Sequence, residues 1–352
     1  MSAENVRRDD VRASVSSRPA LPAGFQLTNT GNGRRYRIVK VLGSGGFGVT
    51  YEAVSPEGMR VAIKEFFPAG ITARNAGYAI TVIGDERIAR QRLQGFFKEA
   101  TVLSSLRDLP SVVEIYEIFY ANQTAYYVME YIDGVTMLEY LSRHGMMDPK
   151  VWNPQYRKLM QAIETLHNHG VIHRDISPDN IMVRNDGSFK LIDFGSARQF
   201  EGQQSLTISV KQYFAPLEQY SEHGQGRFTD VYSLAATIYY SFTGKLVPGG
   251  NDRNSTISQS LAGAGVSARQ AEAICRALQV RTTDRYQTME EFEKAYFGIS
   301  RRIPDGDSDG TVHKNGFTAR VRKSFGLLKE QPFFAAAAGT CFALALILQL
   351  LM

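Results

Sequence analysis

The chain is poor in the residues that would staple or metallate it. Among 352 residues there are two cysteines, Cys275 and Cys341. Two thiols build neither a disulfide framework nor a zinc cluster, and a reducing compartment is the easy reading. Charge of one sign is not in large excess either. Forty Lys and Arg stand against 35 Asp and Glu, a net of +5. That suits an anionic ligand or an anionic membrane surface, and it is too weak to argue for nucleic acid. No repeat period is visible. Residues 1–21 carry Arg and Asp with no apolar segment, which argues against a secretory signal. What is present is an ordinary globular mix, 43% hydrophobic and 21% charged, enough for a sizeable core and, at this length, for about two domains.

Residues 1–33 are polar and read as a disordered leader. From Tyr36 the pattern turns β-rich: Tyr36–Leu42, Thr50–Val54 and Arg60–Phe66 read as strands, with Pro56-Glu57-Gly58 as a turn. A helix is expected over Glu86–Leu106, then strands over Val112–Tyr120 and Ala125–Tyr131. After Asp133-Gly134 the chain reads as mostly helical, interrupted from Val171 to Phe194. Strands first and helices afterwards, with a hinge near 132, imply two lobes of different class.

Three clusters carry chemistry. Gly43-Ser44-Gly45-Gly46-Phe47-Gly48-Val49 lies between two strands, and glycines there let a backbone approach phosphate oxygens. A plain glycine-rich hairpin is the competing reading. A dinucleotide fingerprint would need a helix directly afterwards, and a strand follows instead. Lys64 ends the apolar run Val61-Ala62-Ile63, where a buried ammonium needs an anion to meet it. His173-Arg174-Asp175-Ile176-Ser177-Pro178-Asp179-Asn180 is followed by Asp193-Phe194-Gly195. Asp175 can accept a hydrogen bond from a hydroxyl nucleophile, and Asn180 and Asp193 are hard oxygen donors suited to Mg²⁺.

Taken with Ala215-Pro216-Leu217-Glu218, these pieces are similar to a eukaryotic-type (Hanks-type) serine/threonine protein kinase over about residues 35–298. The runs Lys64-Glu65-Phe66-Phe67-Pro68 and Gly95–Ala100 resemble a bacterial membrane-anchored subgroup. The resemblance implies an α+β, bilobal kinase fold over 34–299, with a β-rich N-lobe (about 34–131) and an α-helical C-lobe (about 132–299). It implies that Lys64, held by Glu99, meets the ATP phosphates, that Asp175 is the catalytic base, and that Asn180 and Asp193 hold Mg²⁺, with Mn²⁺ as the alternative ion. Leu42, Gly43, Ser44, Gly45, Gly46, Phe47, Gly48 and Val49 would cover the nucleotide, and Ala62 would line the adenine slot. Met129 would be the gatekeeper, and Glu130 and Ile132 the backbone partners of adenine. Asp230 resembles the aspartate that braces the catalytic loop, and Arg285 the arginine that pairs with Glu218. Arg174 implies control by phosphorylation of the activation loop, with Thr207 favoured over Ser205 and Ser209.

There are departures. Ser177 stands where most Ser/Thr kinases carry a catalytic-loop lysine, and Val210 or Lys211 stands in place of the threonine that precedes the Ala-Pro-x-Glu element. The expectation is that Lys211 restores the charge missing at 177. Thr50 takes the usual valine position of the glycine loop, with Val49 one place earlier. The stretch between Lys64 and Glu99 is longer than usual.

Residues 300–332 read as a basic juxtamembrane linker. Residues 333–352 are twenty positions without a charge; a helix of that length is about 30 Å, the thickness of a bilayer core. Arg320, Arg322, Lys323 and Lys329 precede it, which places the bulk of the protein on the cytoplasmic face of the inner membrane, held by a single transmembrane helix. A buried C-terminal helix is the alternative. Expected partners are ATP, protein substrates and the membrane, with no nucleic acid and with a dimer formed through the kinase domain or the helix. Competing readings of the whole are a non-catalytic pseudokinase scaffold and a small-molecule phosphotransferase of kinase-like fold, which Mg-ATP turnover and the nature of the acceptor would separate.

Overall fold

The computed structural model describes residues 19–46, 48–106, 109–194, 213–220 and 224–299, with Lys98, Glu99 and Ser105 described in backbone only. The chain divides into two compact units, Met1–Leu93 with Phe119–Tyr126, and Gln94–Ile118 with Tyr127–Met352.

The first unit is built on β1 (Gln26–Thr28), β2 (Arg35–Gly45), β3 (Gly48–Val54), β4 (Arg60–Phe66), β5 (Thr72–Arg74) and β6 (Ile80–Val82). With β7 (Ile115–Ala121) and β8 (Thr124–Glu130) the main sheet runs β1-β2-β3-β4-β8-β7, while β5 and β6 form a separate hairpin. β2, β3 and β4 are antiparallel neighbours, with Thr50 opposite Lys64 and Val49 opposite Glu65. Successive side chains alternate faces, so Thr50, Ala62 and Lys64 share one face and Val49, Tyr51, Ile63 and Glu65 the other. Stacked rings of Tyr36, Phe119 and Tyr126, with centroids 5.9 and 5.4 Å apart, fill part of the core.

One expectation changes here. The leader ends well before residue 33: Leu21 and Leu27 are buried, Gly24 donates its N–H to the Ile38 carbonyl, and β1 pairs with β2. Two buried leucines give this stretch the apolar contact that its polar composition hides. The long stretch after Lys64 carries structure of its own. It holds the β5–β6 hairpin, whose turn is set by Asn75 Oδ1 accepting from the N–H groups of Gly77 and Ala79, with Tyr78 at φ 64°. Three-residue strands are too short to show alternation in sequence.

The helical unit contains most of α1 (Glu86–Ser105), then β9 (Gly134–Thr136), α2 (Met137–His144), α3 (Pro149–Asn168), β10 (Ile181–Arg184), β11 (Phe189–Leu191), α4 (Arg227–Thr243), α5 (Arg253–Gly263), α6 (Ala268–Ala277) and α7 (Met289–Phe297). Helix starts follow capping chemistry. Thr136, Asp148, Ser267 and Thr288 each accept a backbone N–H from the first turn, and Pro149 occupies a position where its missing N–H costs nothing. Gly244 and Gly298 close α4 and α7 in the left-handed region. α4 is buried along most of its length, including Asp230, Val231, Leu234, Ile238 and Phe242. It is the central helix on which α3 and the loop 171–180 are tied: Tyr156 donates to Ser241 Oγ at 2.6 Å, and Asp230 receives the loop as described below. Among the described residues no helix is long and apolar enough to cross a membrane. The expected transmembrane segment, the linker 300–332 and residues 1–18 of the leader lie outside the described residues.

Candidate active site

In the first unit the β2–β3 hairpin carries the glycines. Its pairing runs to Gly45 opposite Gly48. Gly48 is required by the chain itself, because a Cβ there would sit 1.9 Å from the Glu65 carbonyl oxygen of the neighbouring strand. Gly43, Gly45 and Gly46 are different: a Cβ at any of them would meet nothing within 4 Å. Packing does not explain these three. Ser44 lies in the same hairpin opposite Val49, Leu42 is exposed before it, and Phe47 lies outside the described residues.

Ala62 and Lys64 are buried on one face of β4. Val49 is a correction. Its side chain is buried on the opposite face, and Thr50 is the β-branched residue on the face of Lys64. A register of period two leaves no other arrangement.

On the other face of β4 lies a cluster that the sequence did not announce. Glu65 is fully buried and accepts from Tyr51 Oη at 2.6 Å, Tyr126 Oη at 2.5 Å and Arg74 Nη2 at 2.5 Å. Arg74 also donates to the carbonyls of Pro19 and Tyr78. Burial first, and the Glu65 charge second, push both tyrosine hydroxyls well above their ordinary range, so they stay protonated donors. The cluster ties the N-terminal segment and the β5–β6 hairpin to the strand that carries Lys64.

In the helical unit, the loop 171–180 is fixed from α4. The buried Asp230 carboxylate accepts the N–H of His173 on Oδ2 (2.8 Å) and of Arg174 on Oδ1 (2.7 Å), and it pairs with His167 Nε2 at 2.8 Å. Burial pushes the Asp230 carboxyl up, but the bonds from His167 and the loop amides outweigh it and the net shift is down. His173 Nδ1 accepts from the Asp175 N–H at 3.2 Å, so Nε2 carries the proton toward the Ile192 carbonyl at 3.1 Å. Burial lowers the pKa of His173, keeping that ring neutral. Phe194 is buried against the His173 ring, with centroids 4.4 Å apart. Asn180 donates from Nδ2 to the Asp175 carbonyl at 2.7 Å, and its own carbonyl accepts from Ile192. The structure thus brings Asp175, Asn180 and the residue before Asp193 together through direct hydrogen bonds. Arg174 (φ 65°) and Asp193 (φ 57°) hold left-handed backbone, a strain that accumulates at functional positions.

Ser177 is sealed. It is 1% exposed, and its hydroxyl has no hydrogen-bond partner among the described residues. It presents nothing to a phosphate in place of a lysine. Glu218 and Arg285 form a buried fork, at 2.6 and 3.1 Å, with Thr229 also donating to Glu218. Met129 and Glu130 end β8, and the Glu130 N–H is used by the Glu114 carbonyl. Any adenine contact from Glu130 therefore falls to its carbonyl, whereas the backbone of Ile132 has no partner among the described residues. The Glu130 carboxylate forms an ion pair at 2.6 Å with Lys190, at an angle outside hydrogen-bond geometry; Lys190 also lines a cleft of about 280 Å³ with Leu106, Leu109, Pro110, Val112 and Glu114, which contains none of the candidate residues. The side chain of Glu99, and Thr207 and Lys211, lie outside the described residues.

A glycine-tipped, β-rich unit and a helical unit whose central helix grips a His-Arg-Asp loop define the protein kinase architecture. The family described as "Protein kinase domain" matches residues 36–296, and the chain belongs to it. Serine/threonine-protein kinase PknA of Nostoc sp. is 31% identical over 60% of this chain and 37% of its own length. Serine/threonine-protein kinase D of Synechocystis sp. is 31% identical over 75% of this chain and 52% of its own. The chain therefore spans about half or less of these curated relatives. A solved structure titled "PpkA-294 apo form" superimposes with a TM-score of 0.64 at 29% identity, over 79% of this chain and 99% of that one.

Proposed function

We propose that the protein transfers the γ-phosphoryl group of ATP to serine and threonine hydroxyls of protein substrates. The observation that carries this reading is the construction of the loop at Asp175. Asp230 holds the amides before it, His173 holds its own amide, and the Asn180 side chain holds its carbonyl. In this reading Lys64 steadies the phosphates, the hairpin at Gly43–Gly46 covers them, and Asp175 accepts the proton of the attacking hydroxyl. Ala62 lines the base, and the Glu130 carbonyl and the Ile132 backbone meet its edge. Asn180 fits a magnesium site: its Nδ2 is committed to Asp175, so Oδ1 is the atom turned to other use, and Asp193 supplies a carboxylate. These two oxygens would hold Mg²⁺, which when bound would neutralise the charge of the phosphates.

The account includes a membrane tether through residues 333–352, supported by the uncharged run and the basic flank, and autophosphorylation at Thr207, supported by Arg174 beside Asp175. The test is incubation of the full chain with Mg-ATP, followed by phosphosite mass spectrometry. Phosphoserine and phosphothreonine are expected, with Thr207 among the sites. A chain that binds nucleotide but transfers nothing would leave the scaffold reading in its place.

A further inference from the structure

The Arg174–Asp175 peptide is gripped at both of its polar atoms. Its nitrogen donates to His173 Nδ1 within the same loop. Its oxygen, the Arg174 carbonyl, accepts from Gln219 Nε2 at 2.6 Å. A carbonyl can only accept, so the amide nitrogen of Gln219 must be the atom that faces it. Gln219 is 4% exposed and comes from another part of the chain, the 3₁₀ turn Leu217–Tyr220. That turn is itself fixed, because its neighbour Glu218 is forked to Arg285, which is 2% exposed and donates also to the carbonyls of Gln279 and Val280.

The grip matters because of the backbone it holds. Arg174 is at φ 65°, a left-handed conformation that is strained for a non-glycine residue. Such a residue relaxes unless its surroundings over-determine it. Asp230 holds the peptide on the N-terminal side, through the N–H of Arg174. On the C-terminal side, the plane of the Arg174–Asp175 peptide sets where the Cα–Cβ bond of Asp175 points. Of the two hydrogen bonds described for it, the one from Gln219 comes from outside the loop.

We infer that Gln219 is a positioning residue for Asp175, acting through a single donated hydrogen bond to the Arg174 carbonyl. This rests on the phosphotransfer reading of Asp175. Gln219 ties the orientation of the base to the segment that follows Ala215-Pro216, so a movement of that segment is felt at Asp175.

The test uses Gln219→Leu and Gln219→Glu in the full chain. Steady-state kinetics with Mg-ATP and a protein acceptor would be measured with the wild type alongside. Gln219→Leu keeps bulk and loses the donor. It is expected to lower kcat about 10- to 100-fold, the scale of a misplaced catalytic group, with KM for ATP within about two-fold. Gln219→Glu can donate only while protonated, so its kcat relative to wild type should climb as pH falls from 8 to 6. A mere space-filling role would not produce that slope. A kcat for Gln219→Leu within two-fold of wild type overturns the inference. If that variant does not fold, a flat Gln219→Glu to wild-type ratio across the pH range overturns it equally. A wild type that transfers no phosphate sinks the kinase reading first and this one with it.

Discussion

Replacing Glu65 by Gln leaves the Arg74 guanidinium, whose side chain is 1% exposed, without its counter-charge. Neutral partners remain: the carbonyls of Pro19 and Tyr78, and the Tyr51 hydroxyl at 3.5 Å. Breaking one side of a buried ion pair costs about 3–5 kcal/mol. For a domain of this size each kcal/mol moves the unfolding midpoint by about 2–4 °C, so a drop of about 6–20 °C is expected. Arg74→Met strands the carboxylate instead, though two tyrosine hydroxyls still donate to it, which places this variant at the lower end. The double variant removes both charges, and its cost should fall short of the sum of the single costs by about 2–3 kcal/mol. The assay is urea unfolding of all four proteins, with limited proteolysis across Arg74–Ile80 to report release of the hairpin. Additive costs, with a coupling below about 0.5 kcal/mol, would refute the claim that this pair fastens the hairpin and the N-terminal segment to β4.

Acid should destabilise the helical unit. His173 is held below its ordinary 6.5 by burial, so the unfolded chain binds the extra proton first and stability falls as pH drops below about 6.5. Asp230, net lowered, contributes stability above its ordinary 3.8 that is lost as pH falls further. The melting temperature should therefore decline from pH 7 to 5.5, and His173→Phe should flatten that decline; an unchanged slope contradicts it. Gly48→Ala should cost about 1–3 kcal/mol through its clash with the Glu65 carbonyl, whereas Gly45→Ala should leave stability within about 0.5 kcal/mol and weaken nucleotide affinity. Denaturation and nucleotide titration of the two variants separate those outcomes. Lys211→Ala should lower turnover more than the surface change Lys158→Ala; equal effects would end the idea that Lys211 replaces the lysine missing at 177.

The parts of the fold that were legible in sequence are those whose signals are local. The strand over Arg60–Phe66, the turn at Pro56-Glu57-Gly58 and the long helix from Glu86 all lie where the residues indicated. Asp175, Asn180 and Asp193 stood out because a loop of fixed chemistry keeps its members close in sequence. What escaped depends on partners far along the chain. Leu21 and Leu27 look like isolated leucines in a polar leader until a sheet edge covers them. Glu65 drew no role of its own, yet strand parity turns it inward, where Arg74, Tyr51 and Tyr126 meet it. The same parity separates Val49 from Thr50. Gln219 has no local signature, since its partner is a backbone carbonyl 45 positions earlier.

The central claim is that Asp175 serves phosphoryl transfer without holding the nucleotide. Measured side by side, ATP affinity and phosphate transfer of Asp175→Ala should diverge, with transfer falling about 10²- to 10⁴-fold and affinity staying within a few-fold of wild type. Transfer by Asp175→Ala at the wild-type rate would contradict the account.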